Sequence, residues 1–160
     1  MIMRKDIGEC GITLDDAKRF MGFLGRDDRD AEIRSMLNAA IALVEERQNV
    51  SLRPMTIVLP VTGGSTRYPL YLHPVSEVIS VKDAQSGDDL DYQLAYAKDS
   101  IAVRASRPFV VEYKTEAVTD NMLEIYKPAV LTMATLMFDG STDTEAYRKV
   151  FNSFMIPSVL

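Results

Sequence analysis

The 160-residue sequence holds one cysteine, one histidine and no tryptophan. A lone cysteine, Cys10, excludes an internal disulfide framework and any multi-cysteine zinc site, and it leans towards a reducing compartment. A lone histidine, His73, excludes an all-histidine metal centre and leaves no second imidazole for a nucleophile–base pair. Beside Pro74 at a strand end, His73 reads as a turn residue, and Cys10 as a small packed side chain without an activating base. Long apolar runs are missing as well. Nothing approaches the roughly 18 residues of a membrane span, and Met1 to Glu9 carries charges where a signal peptide needs its apolar stretch. The expectation is a soluble chain made in the cytoplasm. Basic residues are scarce: 18 Lys and Arg against 23 Asp and Glu give a net charge of -5. Tight DNA binding needs clustered cations to neutralise phosphates, so DNA is expected to meet this surface only weakly.

Helical patterning opens and closes the chain. Thr13 with Asp16 three residues on is a capping box ahead of Ala17, Phe20, Met21 and Leu24, and Gly22 and Gly25 end that helix early. The polar run Arg26-Asp27-Asp28-Arg29-Asp30 supplies a turn and the negative charge that a following helix dipole favours. Ile33, Met36, Leu37, Ala40, Ile41 and Val44 then recur at i, i+3, i+4 and i+7, with Glu32, Arg34, Asn38, Glu45 and Arg47 off the stripe. That helix is predicted to end near Asn49. After Thr119-Asp120 helical spacing returns in Met122, Ile125, Val130, Met133, Ala134, Met137 and Phe138, with Pro128 expected in a first turn or at a kink. A last helix over residues 144–154 aligns Tyr147, Val150, Phe151 and Phe154, and an apolar tail from Met155 to Leu160 follows.

Between these regions the period shortens. Residues 56–61, 68–72, 75–81, 92–96, 101–104 and 109–113 are rich in β-branched and aromatic residues, separated by Gly63-Gly64-Ser65, His73-Pro74 and Ser86-Gly87-Asp88-Asp89. The fold class is therefore α+β: a mainly helical subunit with a small antiparallel β-hairpin region between N-terminal and C-terminal helices. One domain spans 1–160, with helices in 1–50, hairpins in 55–115, and helices and the apolar tail in 120–160.

Motifs that carry chemistry are absent, and so no catalytic, cofactor-binding or metal-ligating residue is assigned. Gly63-Gly64-Ser65-Thr66 lacks the Gly-Lys-Ser/Thr of a phosphate loop and no helix follows it, so it reads as a hairpin loop. Asp27, Asp28, Asp30 and Glu32 lack the alternation and glycine of a calcium loop, and Asp88, Asp89 and Asp91 read as a solvated turn. Arg104, Arg107 and Lys114 are a candidate basic edge, with the exposed faces of strands as the plainer reading. Met36, Met133 and Met137 fit adaptable core packing.

Four stretches in order resemble the head-tail connector, or adaptor, proteins of long-tailed bacteriophages, prophages and gene transfer agents. Ile12 to Lys18 is similar to that family's opening helix cap, and Asp30 to Glu45 to its long second helix. Leu72-His73-Pro74-Val75 with Val78 to Val81 is similar to its proline-containing turn into a strand, and Ile125 to Leu131 to its C-terminal helix. Pro128 departs from the pattern, since the family tolerates a good helix former there. The resemblance implies a structural, non-enzymatic neck protein of the virion, made in the bacterial host cytoplasm. It implies a ring of about twelve subunits docked beneath the portal, extending the DNA channel and offering a platform to a stopper or tail protein. DNA passes such a ring without specific binding, and neither a cofactor nor a membrane is involved. It further implies portal docking by the C-terminal region, which falls on Phe151, Phe154, Met155, Ile156, Val159 and Leu160. The alternatives are another neck component, such as a stopper or tail-completion protein, and a ligand-binding or enzymatic domain.

Overall fold

The computed structural model describes residues 1–62, 67–97 and 100–154. The chain forms two compact units, each assembled from two stretches: Met1–Cys10 with Asn49–Val118, and Gly11–Gln48 with Thr119–Leu160.

The first unit is β-structure. Its strands are β1 (Met3–Asp6), β2 (Met55–Val61), β3 (Arg67–Pro69), β4 (Val75–Asp83), β5 (Tyr92–Ala97), β6 (Ser100–Ala105) and β7 (Phe109–Thr115). They form a four-stranded sheet in the order β1-β2-β7-β4 and a three-stranded sheet in the order β3-β6-β5, with every pairing antiparallel. Alternation explains why β2 and β7 sit at the centre. Met55, Ile57, Leu59 and Val61 point inward on one, Phe109, Val111, Tyr113 and Thr115 on the other, and the register sets Ile57 opposite Tyr113 and Leu59 opposite Val111. Leu70, Leu72, Val81, Val103 and Ala105 complete this core. Full burial of side chains such as Phe109 or Ile57 contributes about 1.5–3 kcal/mol each.

Two expectations are corrected here. A strand precedes the helices: β1 pairs with β2, and the Arg53 guanidinium holds Asp6 at 2.9 Å. The β-region is also not a series of hairpins. Among the described strands only β5 and β6 pair with no other strand or helix between them; β1 reaches β2 across two helices, β2 and β4 both pair with β7, and β3 skips to β6. Inward-facing side chains from distant segments share one core, and their burial outweighs the local economy of a hairpin.

The second unit is helical: α1 (Leu14–Met21), α2 (Asp30–Gln48), α3 (Asp120–Phe138) and α4 (Thr144–Phe154). Thr13 caps α1 reciprocally with Asp16, whose carboxylate accepts from the Thr13 amide at 2.8 Å. Gly22, at φ 80°, ends it in the left-handed conformation that a side chain would strain. Helix α1 thus ends three residues before Leu24, and Phe20 and Leu24 are exposed, leaving Ala17 as its buried apolar contact. The α2 stripe is buried as its spacing demands, through Ile33, Leu37, Ala40, Ile41 and Val44, and faces α3, which buries Tyr126, Ala129, Val130, Met133 and Ala134. Glu45 departs from its expected exposure and is wholly buried. Of the two placements expected for Pro128, the first turn is excluded: it lies inside α3, and the helix runs on past it. An interior proline costs about 3 kcal/mol through its missing donor and its clash with the preceding turn. The apolar residues buried on both sides of Pro128 offset that cost.

Candidate functional site

Helix α4 carries the start of the proposed docking segment. Its entry is built by short polar contacts: Asp143 Oδ1 accepts from the Glu145 amide at 2.9 Å, and the Tyr147 hydroxyl donates to the Ser141 carbonyl at 3.0 Å. Arg148 and Glu145 pair at 2.6 Å across one turn. This fixes the helix phase, so that Val150 is buried and Phe151 half-buried, while Asn152 and Ser153 face outward. The Arg47 guanidinium from the end of α2 stands 5.6 Å from the Phe151 ring centre. Phe151 thus spends part of its surface inside its own unit, in a cation–π contact. Phe154 closes α4, and Met155, Ile156, Val159 and Leu160 lie outside the described residues.

The most developed polar cluster is one that the sequence pattern did not reveal. Lys18, at the end of α1, is almost fully buried, and its ammonium lies 2.8 Å from Asp30 and 2.9 Å from Asp27. Hydrogen bonding to Asp30, then to Asp27, holds its pKa above the usual lysine value against the opposing effect of burial. Beside it, Arg26 pairs with Asp28 at 3.2 Å and Arg29 with Glu32 at 2.6 Å. Both guanidiniums also cover aromatic faces: Arg26 stands 5.1 Å from Phe23, Arg29 stands 4.9 Å from Phe138, and the two rings meet edge to face at 5.3 Å. The acidic run is therefore a clasp between the α1–α2 turn and the end of α3. Its charges are consumed internally, as a structural joint and not as a cation site.

The candidate basic edge does not assemble. Lys114, on β7, pairs with Glu77 at 3.3 Å and Arg107, between β6 and β7, with Asp83 at 3.1 Å, while Arg104 lies on β6, opposite Gln93 and Arg67. Asp83 is a turn organiser: it accepts from the amides of Gln85 and Ser86, and those bonds, with Arg107, hold its carboxyl below the ordinary range although burial pushes the other way. Asp88 and Asp89 belong to the same turn, through the Asp88 carbonyl at 2.8 Å from the Asp83 amide and a bridge from Asp89 to Lys82. An open hollow of about 620 Å³ beside β5 is lined by Asp91, Tyr92, Gln93, Arg104, Ala105 and Ser106, without histidine or cysteine.

His73 is used through its backbone. Its amide donates to the Asn49 carbonyl at 3.1 Å, its carbonyl accepts from the Ser51 amide at 2.9 Å, and its bond to Pro74 is cis. Cys10 is half-buried. Gly63 to Thr66 lie outside the described residues. Among the described residues no three of His, Cys, Asp and Glu gather as a metal-holding group, and no helix is long and apolar enough to cross a membrane.

No family model and no curated protein matches this sequence. Solved structures do match. A chain of the neck of an empty gene transfer agent particle, computed with C6 symmetry, superposes with a TM-score of 0.67 at 15% identity, covering 99% of this chain and 97% of that one. Its fold is that of a gene transfer agent neck chain. A chain of the virion of a native gene transfer agent particle gives 0.61, and one from the native neck computed with C12 symmetry gives 0.60, each at 16% identity with the same coverage. The likeness therefore includes both units, and it holds at an identity where side chains have largely diverged.

Proposed function

We propose that this chain is a structural virion neck protein, a ring-forming adaptor that docks beneath the portal, extends the DNA channel and presents a platform to a stopper or tail protein. The observation that carries this reading is likeness of fold, across both units, to chains of gene transfer agent particles, two of them from neck reconstructions computed with C6 and C12 symmetry. A ring of about twelve copies agrees with the C12 case and with the family resemblance of the four sequence stretches. Both units act together as one connector domain. Four helices among the described residues favour an adaptor over a stopper, which should be mainly β.

The chemistry of the surface supports passage of DNA without capture. The net charge is -5, and two of the three candidate cations are already paired with carboxylates. An acidic wall repels phosphates weakly and lets the duplex slide. The protein is a non-enzymatic, cofactor-free component assembled from the bacterial host cytoplasm into the virion. Portal docking is assigned to Phe151, Phe154, Met155, Ile156, Val159 and Leu160, since aromatic and methionine side chains suit the buried centre of an interface.

Negative-stain microscopy of the protein mixed with portal tests this. The expected result is a ring seated on the portal, lost when Asn152 to Leu160 are deleted from a chain that still folds. A folded deletion variant that seats normally would move docking elsewhere, and absence of any seated ring with the full chain would overturn the adaptor reading.

A further inference from the structure

Four strands stand at sheet edges, and three of them are guarded. Strand β1 is four residues long and carries Arg4, Lys5 and Asp6; β3 has three residues, including Arg67 and Pro69. Strand β4 is interrupted by two register shifts, between Val75 and Glu77 and between Val78 and Ser80, and is bridged by Asp89 at Lys82. Shortness, charge, proline and bulges are the devices by which proteins prevent a sheet edge from pairing with another chain. Strand β5 has none of them. Its sequence, Tyr-Gln-Leu-Ala-Tyr-Ala from Tyr92 to Ala97, contains no charge and no proline, and it pairs with β6 without a register shift. It ends the order β3-β6-β5, with Tyr92 39% and Tyr96 73% exposed.

We propose that β5 is an interaction edge whose occupant is β5 of a second copy, paired antiparallel about a two-fold axis at Leu94. The argument for a second copy is self-complementarity. A two-fold axis normal to the sheet keeps each face on its own side, so residues directly opposite must share a face, and Tyr92, Leu94 and Tyr96 share one. The register centred on Leu94 sets Tyr92 against the other copy's Tyr96, and Tyr96 against its Tyr92. Two cross-strand aromatic pairs then flank a leucine pair, the combination that antiparallel neighbours favour. On the opposite face Gln93 meets Ala95, so no like charges are brought together. That aromatic face is also the one on which Val103 and Ala105 of β6 enter the core, and the pairing prolongs the core across the axis. The contact is isologous, whereas a ring is closed by head-to-tail contacts, so it stands apart from the adaptor reading.

The test is sedentation of the full chain over a concentration series by analytical ultracentrifugation, with three forms. The wild type is expected to pass from monomer to dimer. Tyr92→Lys with Tyr96→Lys, which opposes like charges twice, is expected to remain monomeric, and Tyr92→Glu with Tyr96→Lys, which opposes unlike charges twice, to dimerise again. A wild type that stays monomeric, or an association unchanged in the double-lysine variant, overturns the proposal. Rings that form equally in all three forms would leave the adaptor reading standing while removing this one. Hydrogen exchange on the wild type covers the case of variants that fail to fold: amides 92–96 should gain protection as concentration rises, and protection that does not change with concentration counts against the pairing.

Discussion

The Lys18 ammonium and the Asp30 carboxylate meet at 2.8 Å, tying the end of α1 to the first residue of α2. Asp27 completes the pair of carboxylates around that cation, so its removal would leave two anions facing one another. Lys18→Met is predicted to lower the melting temperature at neutral pH. The pKa of Lys18 is raised in the folded chain, so its stabilisation is complete below the ordinary lysine value, near 10.4, and fades as pH rises through the folded value. The melting-temperature gap between wild type and variant should therefore be flat through neutral pH and close in strong alkali. A gap independent of pH would assign the loss to packing of the side-chain stem alone.

Asp83 has the opposite sign. Its carboxyl is held below the ordinary range, so it stabilises the fold above about pH 4 and loses that contribution as pH falls through its folded value. Asp83→Asn is predicted to melt below the wild type at neutral pH and to converge on it in acid. Melting curves from neutral pH to about pH 2 check this, and a gap that widened in acid would contradict it.

Tyr113 is wholly buried in the β-core, and its hydroxyl donates to the Tyr71 carbonyl. Burial raises its pKa, so it stays a neutral donor. Tyr113→Phe keeps the ring and leaves the carbonyl without that donor, at a cost of about 1–3 kcal/mol. Urea unfolding should show a lower midpoint with an unchanged slope.

Leu37 and Ile41 are buried on the α2 stripe, 4% and 2% exposed. Leu37→Asp or Ile41→Asp places a carboxylate there at a cost of several kcal/mol, roughly a third or more of a typical domain's stability. Loss of the cooperative thermal transition is expected by circular dichroism. A wild-type melt would show that the stripe does not hold the fold.

Mobility-shift titration is predicted to give DNA affinity no tighter than the non-specific range of about 10⁻⁴ to 10⁻⁶ M at physiological salt. Nanomolar binding that survives high salt would contradict the reading of DNA as cargo.

The elements themselves were largely legible, because their signals are local. Thr13 and Asp16 mark the start of α1, Thr119 caps α3, and the alternation of β2 and β7 is visible in a few residues. What stayed hidden depends on partners far away in sequence. Met3-Arg4-Lys5-Asp6 has no alternating apolar pattern and becomes a strand because β2 offers it an edge. Glu45 looks like an exposed charge at helical spacing, and only the packed fold shows it buried. Pro128 signals a break by propensity, but apolar burial on both sides carries α3 through it. At the candidate site the apolar character of α4 was readable, whereas the contact of Arg47 with Phe151 required the phase of two helices. The clasp around Lys18 was hidden for the same reason, since Asp27 and Asp30 look like an ordinary turn until α1 and α2 are placed side by side.

Both units are assembled from stretches that are far apart in the chain, and this dictates an order of events during synthesis. A ribosome releases α2 long before α3, so the stripe of Ile33, Leu37 and Ile41 waits unburied until residues beyond Asp120 emerge. Strand β2 waits likewise for β7, which supplies Val111 and Tyr113. Pairings of this kind close late because the chain between them must first be ordered. A nascent chain stalled before Phe109 would therefore carry both apolar faces without these partners, making the synthesis between α2 and α3 the interval in which chaperone contact matters most.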